Sequence, residues 1–346
     1  MASYSRLNQE DLTVSTDKVV TNAWSDDTNT LTTFFTSSTQ AVTATATQQG
    51  NFFMEIYKDD VNLTSSAPVQ FTVAYGHKAG SGSENFTNTA GALGNTATKA
   101  IYRQYAQLVF GDESSNFSFN GFESNDIWVI NVARGRYKHA LKEGSLNLTL
   151  ADGTTTLHVT DDSLTSSGSA TITNLGRQFN LVSGSDGVQL GNSLNLPATN
   201  SGSYGFVYPE AGVIILNGET LRNPGGGSAT FWAEANAASA QVKSRTLYNS
   251  FKTAGSEFTV DSVERVSSQF MFVRVKNSEF NYSSNPSYID TNGNLNNTTM
   301  ADSPTSYITT VGLYNDDNNL LAVAKLSQPL KKDFTTEALI RIKLDY

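Results

Sequence analysis

Short runs in which apolar and polar residues alternate, each closed by a cluster of Gly, Asn, Asp, Ser or Thr, recur along the chain and constrain it towards strands and turns. Phe71, Val73 and Tyr75 alternate with Thr72 and Ala74, the period of two of a half-buried strand. Three pairs of such runs flank turn-forming residues. Segments 145–150 and 155–159 are joined by Ala151-Asp152-Gly153, 206–207 and 213–216 by Pro209-Glu210-Ala211-Gly212, and 307–314 and 320–326 by Asn315-Asp316-Asp317-Asn318-Asn319. Each predicts an antiparallel hairpin, because these residues accept the tight backbone geometry that returns the chain on itself. Further strands are expected at 12–20, 31–36, 41–47, 52–57, 258–266, 270–275 and 338–344, with weaker ones at 170–173 and 179–181. The short run 127–132, apolar except for Asn131, predicts a buried strand that leaves the core into a basic turn.

Two segments break this pattern. Over 98–110, Ile101, Tyr105, Leu108 and Val109 recur at spacings of three and four, so a helix is expected, capped by Thr96 or Thr98 and ended by Gly111. Over 229–254, Ala233, Ala237, Ala240, Val242, Leu247 and Phe251 give a second helical pattern that stops at Gly255. Charged residues make up only 16% of the chain, and the balance of Ser, Thr, Asn and Gly favours strands and turns. The expected fold is therefore α+β and predominantly β: antiparallel sheets in a sandwich-like arrangement, two helical segments and a C-terminal β-hairpin. At 346 residues the chain exceeds the size at which one core stops growing. The composition suggests a β-rich domain over 1–160, a Ser/Gly/Asn-rich insertion over 161–228, and a helix plus C-terminal β domain over 229–346. The stretches 77–95 and 223–228 read as loop and linker.

A net charge of −9 argues against a broad nucleic-acid footprint, which needs clustered Lys and Arg to neutralise phosphates. No cysteine is present, so disulfides and thiolate metal sites are excluded. The N-terminus, Met1-Ala-Ser-Tyr-Ser-Arg-Leu-Asn8, lacks a charged region followed by an apolar run, and no apolar stretch of about 18 residues occurs; neither export nor membrane insertion is expected.

Chemistry-bearing patterns fail in detail. His77, His139 and His158 lie in separate predicted elements, without a second ligand at helical spacing. No phosphate-binding loop, dinucleotide fingerprint or nucleophile elbow is present. Residues 290–301 have oxygen ligands at alternate positions, as in a calcium loop, but Leu295 stands where glycine is obligatory and Ala301 where a bidentate acid is needed. A solvated turn is the better reading. Asp161-Asp162 and Asp316-Asp317 are adjacent acids on turns rather than carboxylates facing across a cleft. No catalytic residue, metal ligand or cofactor is assigned, and a hydrolase lacks its paired carboxylates.

Two surfaces are candidates for partner binding. The densest basic cluster, Arg134, Arg136 and Lys138 around Tyr137, fits a docking or intramolecular salt-bridge surface. The C-terminal hairpin is densely apolar, with Ile308, Val311, Leu313, Leu321, Val323 and Leu326, and needs another surface to cover it. Tyr307, Leu313, Tyr314, Leu321 and Val323 are the contact candidates there.

Two blocks also carry a family resemblance. The first joins Lys99-Ala-Ile-Tyr-Arg-Gln-Tyr105 to Phe119-Asn-Gly-Phe-Glu-Ser-Asn-Asp-Ile-Trp-Val-Ile-Asn131 and Ala133-Arg-Gly-Arg-Tyr-Lys138. The second runs from Ser306-Tyr-Ile-Thr-Thr-Val-Gly-Leu-Tyr-Asn315 through Leu320-Leu-Ala-Val-Ala-Lys-Leu-Ser-Gln-Pro329 to Ile340-Arg-Ile-Lys-Leu-Asp345. Both resemble virion structural proteins of contractile-tailed bacteriophages of the myovirus, cyanophage-like kind. That resemblance implies a non-enzymatic subunit made in the host cytoplasm and assembled into the virion at the tail, baseplate or neck. Its partners would be other virion proteins and further copies of itself; the net charge of −9 speaks against nucleic acid, and the lack of a long apolar stretch against a membrane. A receptor- or carbohydrate-binding module at the virion periphery, suggested by the aromatic and Asn/Asp-rich loop 282–297, and a head decoration protein are the alternatives.

Overall fold

A computed structural model describes residues 4–36, 53–64, 66–82, 96–151, 153, 156–165, 170–189, 203–222 and 244–345. The expected strand at 41–47, the linker at 223–228 and the first part of the helix expected over 229–254 lie outside the described residues. In chain order the first elements are β1 (Leu12–Asn22), β2 (Thr30–Leu31), β3 (Phe53–Tyr57), β4 (Val69–His77), α1 (Ala97–Phe110), β5 (Phe117–Phe119), β6 (Phe122–Ser124), β7 (Asp126–Val132), β8 (Ala140–Leu141), β9 (Asn147–Ala151) and β10 (Thr156–Asp161). There follow β11 (Thr171–Thr173), β12 (Gly176–Ser185), β13 (Val188–Gln189), β14 (Gly205–Tyr208), β15 (Val213–Asn217), α2 (Gly218–Arg222), α3 (Ser244–Lys252), β16 (Glu257–Thr259), β17 (Asp261–Val275), β18 (Ser306–Tyr314), β19 (Leu320–Lys332) and β20 (Ala338–Asp345). The fold is α+β and mostly antiparallel β, as composition and alternation predict.

The chain divides into two compact units, Met1–Lys18 with Arg265–Tyr346, and Val19–Glu264. This division does not follow the boundaries suggested by composition. The segment expected to be an insertion supplies β12, β14 and β15, which are internal strands of the main sheet. Its low charge reflects burial: Phe179, Leu181, Val207, Ile214 and Leu216 all belong to the core.

In the larger unit the sheet runs β2-β16-β9-β10-β12-β14-β15-β7-β4-β3, with β11 and β13 pairing onto β12. An antiparallel bridge between Phe35 and Tyr57 ties the segment after β2 to β3, so the sheet curls until its two ends meet. Strands in the middle of this sheet are covered on both faces. In β7, Trp128, Ile130 and Val132 point into the enclosed core, whereas Ile127 and Val129 pack outward beneath α1. β15 repeats the division, with Ile214 and Leu216 inside and Val213 and Ile215 outside. That double burial is why 127–130 is apolar without alternation, while Asn131, on the outer face beyond the helix, is exposed. Inside, Phe251 of α3 meets Phe34 and Phe71 at ring-centroid distances of 4.9 and 5.1 Å. Trp24 donates its indole N–H to the Phe258 carbonyl at 3.0 Å.

Helix α1 begins and ends as its sequence predicts. The Thr96 hydroxyl accepts from the Lys99 N–H, and Gly111 takes a left-handed conformation at φ 77° that other residues adopt at a cost. The buried face, however, is Tyr102, Ala106 and Val109, and Leu108 of the predicted stripe is exposed. Tyr102 is drawn inward because its hydroxyl donates to the Ser124 carbonyl and accepts from the Phe117 N–H, which satisfies the polar end of the ring.

The smaller unit is sandwich-like. Residues 268–275 of β17 pair with β20, and β18 pairs with β19 as the predicted C-terminal hairpin. One face of the hairpin, with Val311, Leu313, Ala322, Ala324 and Leu326, packs with Met271, Val273, Ile340 and Ile342 of the β17–β20 pair. The predicted turn closes through the Asn315 N–H to the Asn319 carbonyl at 3.0 Å, with Asn318 at φ 62°.

Candidate partner-binding surfaces

The basic cluster follows directly from the end of β7, where Arg134–Arg136 form a single 3-10 turn in the larger unit. Tyr137 is not on the surface. It is 6% exposed, belongs to the inner core and lies against Gly212; a Cβ at 212 would come within 2.6 Å of its Cε1. The Arg134 guanidinium caps the same ring at 4.7 Å and donates to the Tyr137 carbonyl at 2.6 Å. The cation is thus engaged with its own chain. Arg136 is half-buried, and Lys138 is exposed. Burial pushes the Tyr137 hydroxyl above its ordinary pKa, and the Arg134 charge opposes that shift.

The hairpin candidates belong to the smaller unit and divide by strand face. Leu313 faces inward and is 9% exposed, so the surface that the hairpin needed is supplied by its own β17–β20 pair. Tyr307, Tyr314, Leu321 and Val323 are 60%, 44%, 68% and 58% exposed. Gly312 pairs with Val323, and the Tyr314 ring lies over Gly312 beside Leu320. Tyr4 meets Tyr314 edge-on at 5.2 Å, and both Tyr4 and Leu320 are exposed. Tyr4, Tyr314 and Leu320 form one exposed apolar patch, with Val323 opposite Gly312, whereas Tyr307 pairs with Lys331 at the far end of the hairpin. Leu320 was not a candidate from sequence because a bulge between Leu313 and Tyr314 resets the register by one residue, which local alternation does not reveal; Tyr4 was not because it meets Tyr314 from the other end of the chain.

β1 adds a second exposed feature. In the smaller unit its residues 12–18 end the β1-β17-β20 sheet among the described residues, and all are exposed except the half-buried Ser15, including Leu12 and Val14. Such an edge is a template for pairing with another strand.

Among the described residues, no three His, Cys, Asp or Glu side chains gather to hold a metal ion. In the segment read as a failed calcium loop, the Asp290 carboxylate accepts from the backbone N–H groups of Asn292 and Asn294, each at 2.8 Å. Those bonds hold its pKa below the ordinary carboxylate value and mark a self-satisfied turn. Asp161 is buried; its oxygens accept from the Gly144 N–H at 3.0 Å and from Ser163, yet burial raises its pKa. Asp162 is raised for the same reason, and accepts from the N–H and side-chain amide of Asn180 at 3.0 Å. Both carboxylates are committed to anchoring backbone. Among the described residues no helix is long and apolar enough to cross a membrane.

No protein-family model, curated protein or solved structure shows a significant match to the chain.

Proposed function

We propose that this chain is a non-enzymatic structural protein of a bacteriophage virion, assembling with itself and with other virion proteins in the tail, baseplate or neck. The observation that carries the proposal is the exposed apolar patch at the turn end of the C-terminal hairpin, where Tyr314, Leu320, Leu321 and Val323 are exposed and Tyr4 meets Tyr314. Covering such side chains contributes on the order of 25 cal/mol per Å² of apolar area removed from water, which favours a protein neighbour. The open edge of β1 supports the same reading. The sequence blocks at 99–138 and 306–345 resemble phage virion proteins, and they contain this hairpin.

Two measurements test the proposal. Purified virions of the phage encoding the chain are expected to contain it, with the hairpin against a neighbouring subunit in cryo-EM maps; absence from the particle would end the idea. Light scattering of the purified chain is expected to show an oligomer that Leu321→Asp with Val323→Asp dissociates while the melting temperature is retained.

A further inference from the structure

On the outer face of the main sheet, the C-terminal end of α1, β5, β14 and the β11–β12 hairpin border a groove of about 500 Å³. Its volume lies within the ~300–1,000 Å³ range of small-ligand sites. Val109 and Phe206 are its buried apolar residues, and the lining side chains Phe110 and Ile172 are 40% and 75% exposed. Among the described residues the polar lining is neutral: amides and hydroxyls, with no titratable side chain.

The state of those polar groups narrows the ligand. Thr173 is occupied, its hydroxyl donating to the Gly176 carbonyl at 3.0 Å. The Gln178 Oε1 accepts from the Tyr208 hydroxyl at 2.8 Å, which leaves its NH2 as the group available to donate. The side chains of Asn174, Thr171 and Ser118 make no hydrogen bond among the described residues. Asn174 is seated by Gly111: a Cβ there would lie 2.9 Å from its Nδ2, so the glycine that ends α1 also makes room for the amide.

A charged ligand would find no counter-charge in this lining, and a wholly apolar one would cover amides and hydroxyls without replacing their water. A molecule with C–H faces for Phe110 and Ile172 and neutral hydroxyls for Asn174, Gln178, Thr171 and Ser118 satisfies both halves. We propose that this groove binds a neutral saccharide. The site lies wholly within the larger unit and does not depend on the assembly proposed above, so absence of the chain from virions would leave it standing.

The test is an array of neutral gluco-, galacto- and N-acetylglucosamine oligosaccharides printed beside sialylated and sulfated glycans, probed with the full chain. Neutral glycans are expected to bind, and the best of them is then titrated calorimetrically. Asn174→Ala and Ile172→Ser, both at exposed positions, are each expected to weaken it about tenfold, the loss of one hydrogen bond or one apolar contact, with unchanged melting. Phe110→Ala is the stronger test of the ring, but Phe110 also packs on Phe117 at 5.2 Å, so the two exposed variants carry the result should it destabilise the fold. An array with no hits or only anionic hits would overturn the ligand class. Neutral binding that survives both Asn174→Ala and Ile172→Ser would overturn the site.

Discussion

Phe35 and Tyr57 exchange both of their backbone hydrogen bonds, each at 2.8 Å, and this bridge, with the Thr33 hydroxyl donating to the Lys58 carbonyl at 3.0 Å beside it, joins the two ends of the main sheet. Without it, β3 and the segment after β2 would both be open edges among the described residues. Phe35→Pro removes one of the two donors and is expected to cost about 1–3 kcal/mol, whereas Phe35→Val keeps the backbone pair and should cost less. Urea unfolding of the two variants checks the difference.

Phe251 is the ring through which α3 fills the space inside the sheet. It is 1% exposed and touches Phe34 and Phe71. Phe251→Ala is expected to lose about 3–5 kcal/mol, the range for deleting a buried aromatic side chain. Loss of cooperative unfolding in denaturant at room temperature would be the extreme form of the same result.

Tyr137 and Gly212 form a second close relationship. Gly212 sits at φ 65° with the tyrosine ring where its Cβ would be. Gly212→Ala therefore meets both a backbone penalty of about 1–2 kcal/mol and a clash that must move the ring. Combining it with Tyr137→Ala should relieve the clash but not the backbone cost, which a double-mutant cycle measures directly.

Lys332 is fully buried, and its ammonium donates to the Asn277 carbonyl, the Asn281 Oδ1 and the Asp333 carbonyl at 2.9, 2.7 and 2.8 Å. It staples residues 277–281 to the end of β19 through oxygen dipoles. Lys332→Met keeps the stem but takes this donor from the Asn281 Oδ1 and the Asp333 carbonyl, for an expected loss of about 1–3 kcal/mol each if water does not reach them, while the Asn277 carbonyl still accepts from the Asn281 side-chain amide at 2.7 Å. Hydrogen exchange should show faster opening at 277–281 before the rest of the smaller unit.

Asp161 gives a pH signature opposite to that of most aspartates. Its folded pKa is raised by burial, so the folded state holds the proton more tightly than the unfolded chain does. Its contribution to stability is therefore greatest below the unfolded pKa and falls as pH rises through the raised folded value. Asp161→Asn retains an oxygen acceptor for Gly144 and cannot ionise. Its stability relative to the parent is expected to improve as pH rises from about 4 to 7, in unfolding curves taken across that window.

Local sequence determined much of the secondary structure. Alternation placed β4, β9, β10 and β20, the turn residues at 209–212 and 315–319 fixed two hairpins, and Thr96 with Gly111 bounded α1 to within one residue. These features depend on backbone preferences and near neighbours, which a window of a few residues contains. Tertiary structure decided what the windows lack: that β12, β14 and β15 sit within the main sheet, that Phe35 meets Tyr57, and that β16 pairs with β2 through residues as distant as Thr259 and Thr30. It also decided which candidate contacts are free to meet a partner. Tyr137 and Leu313 read as surface residues beside basic and apolar neighbours, yet both are buried, while Val323 and Leu321 remain exposed. The physical reason is that alternation gives a strand two faces without saying which one is covered; only the sheet or helix packed against it breaks that symmetry.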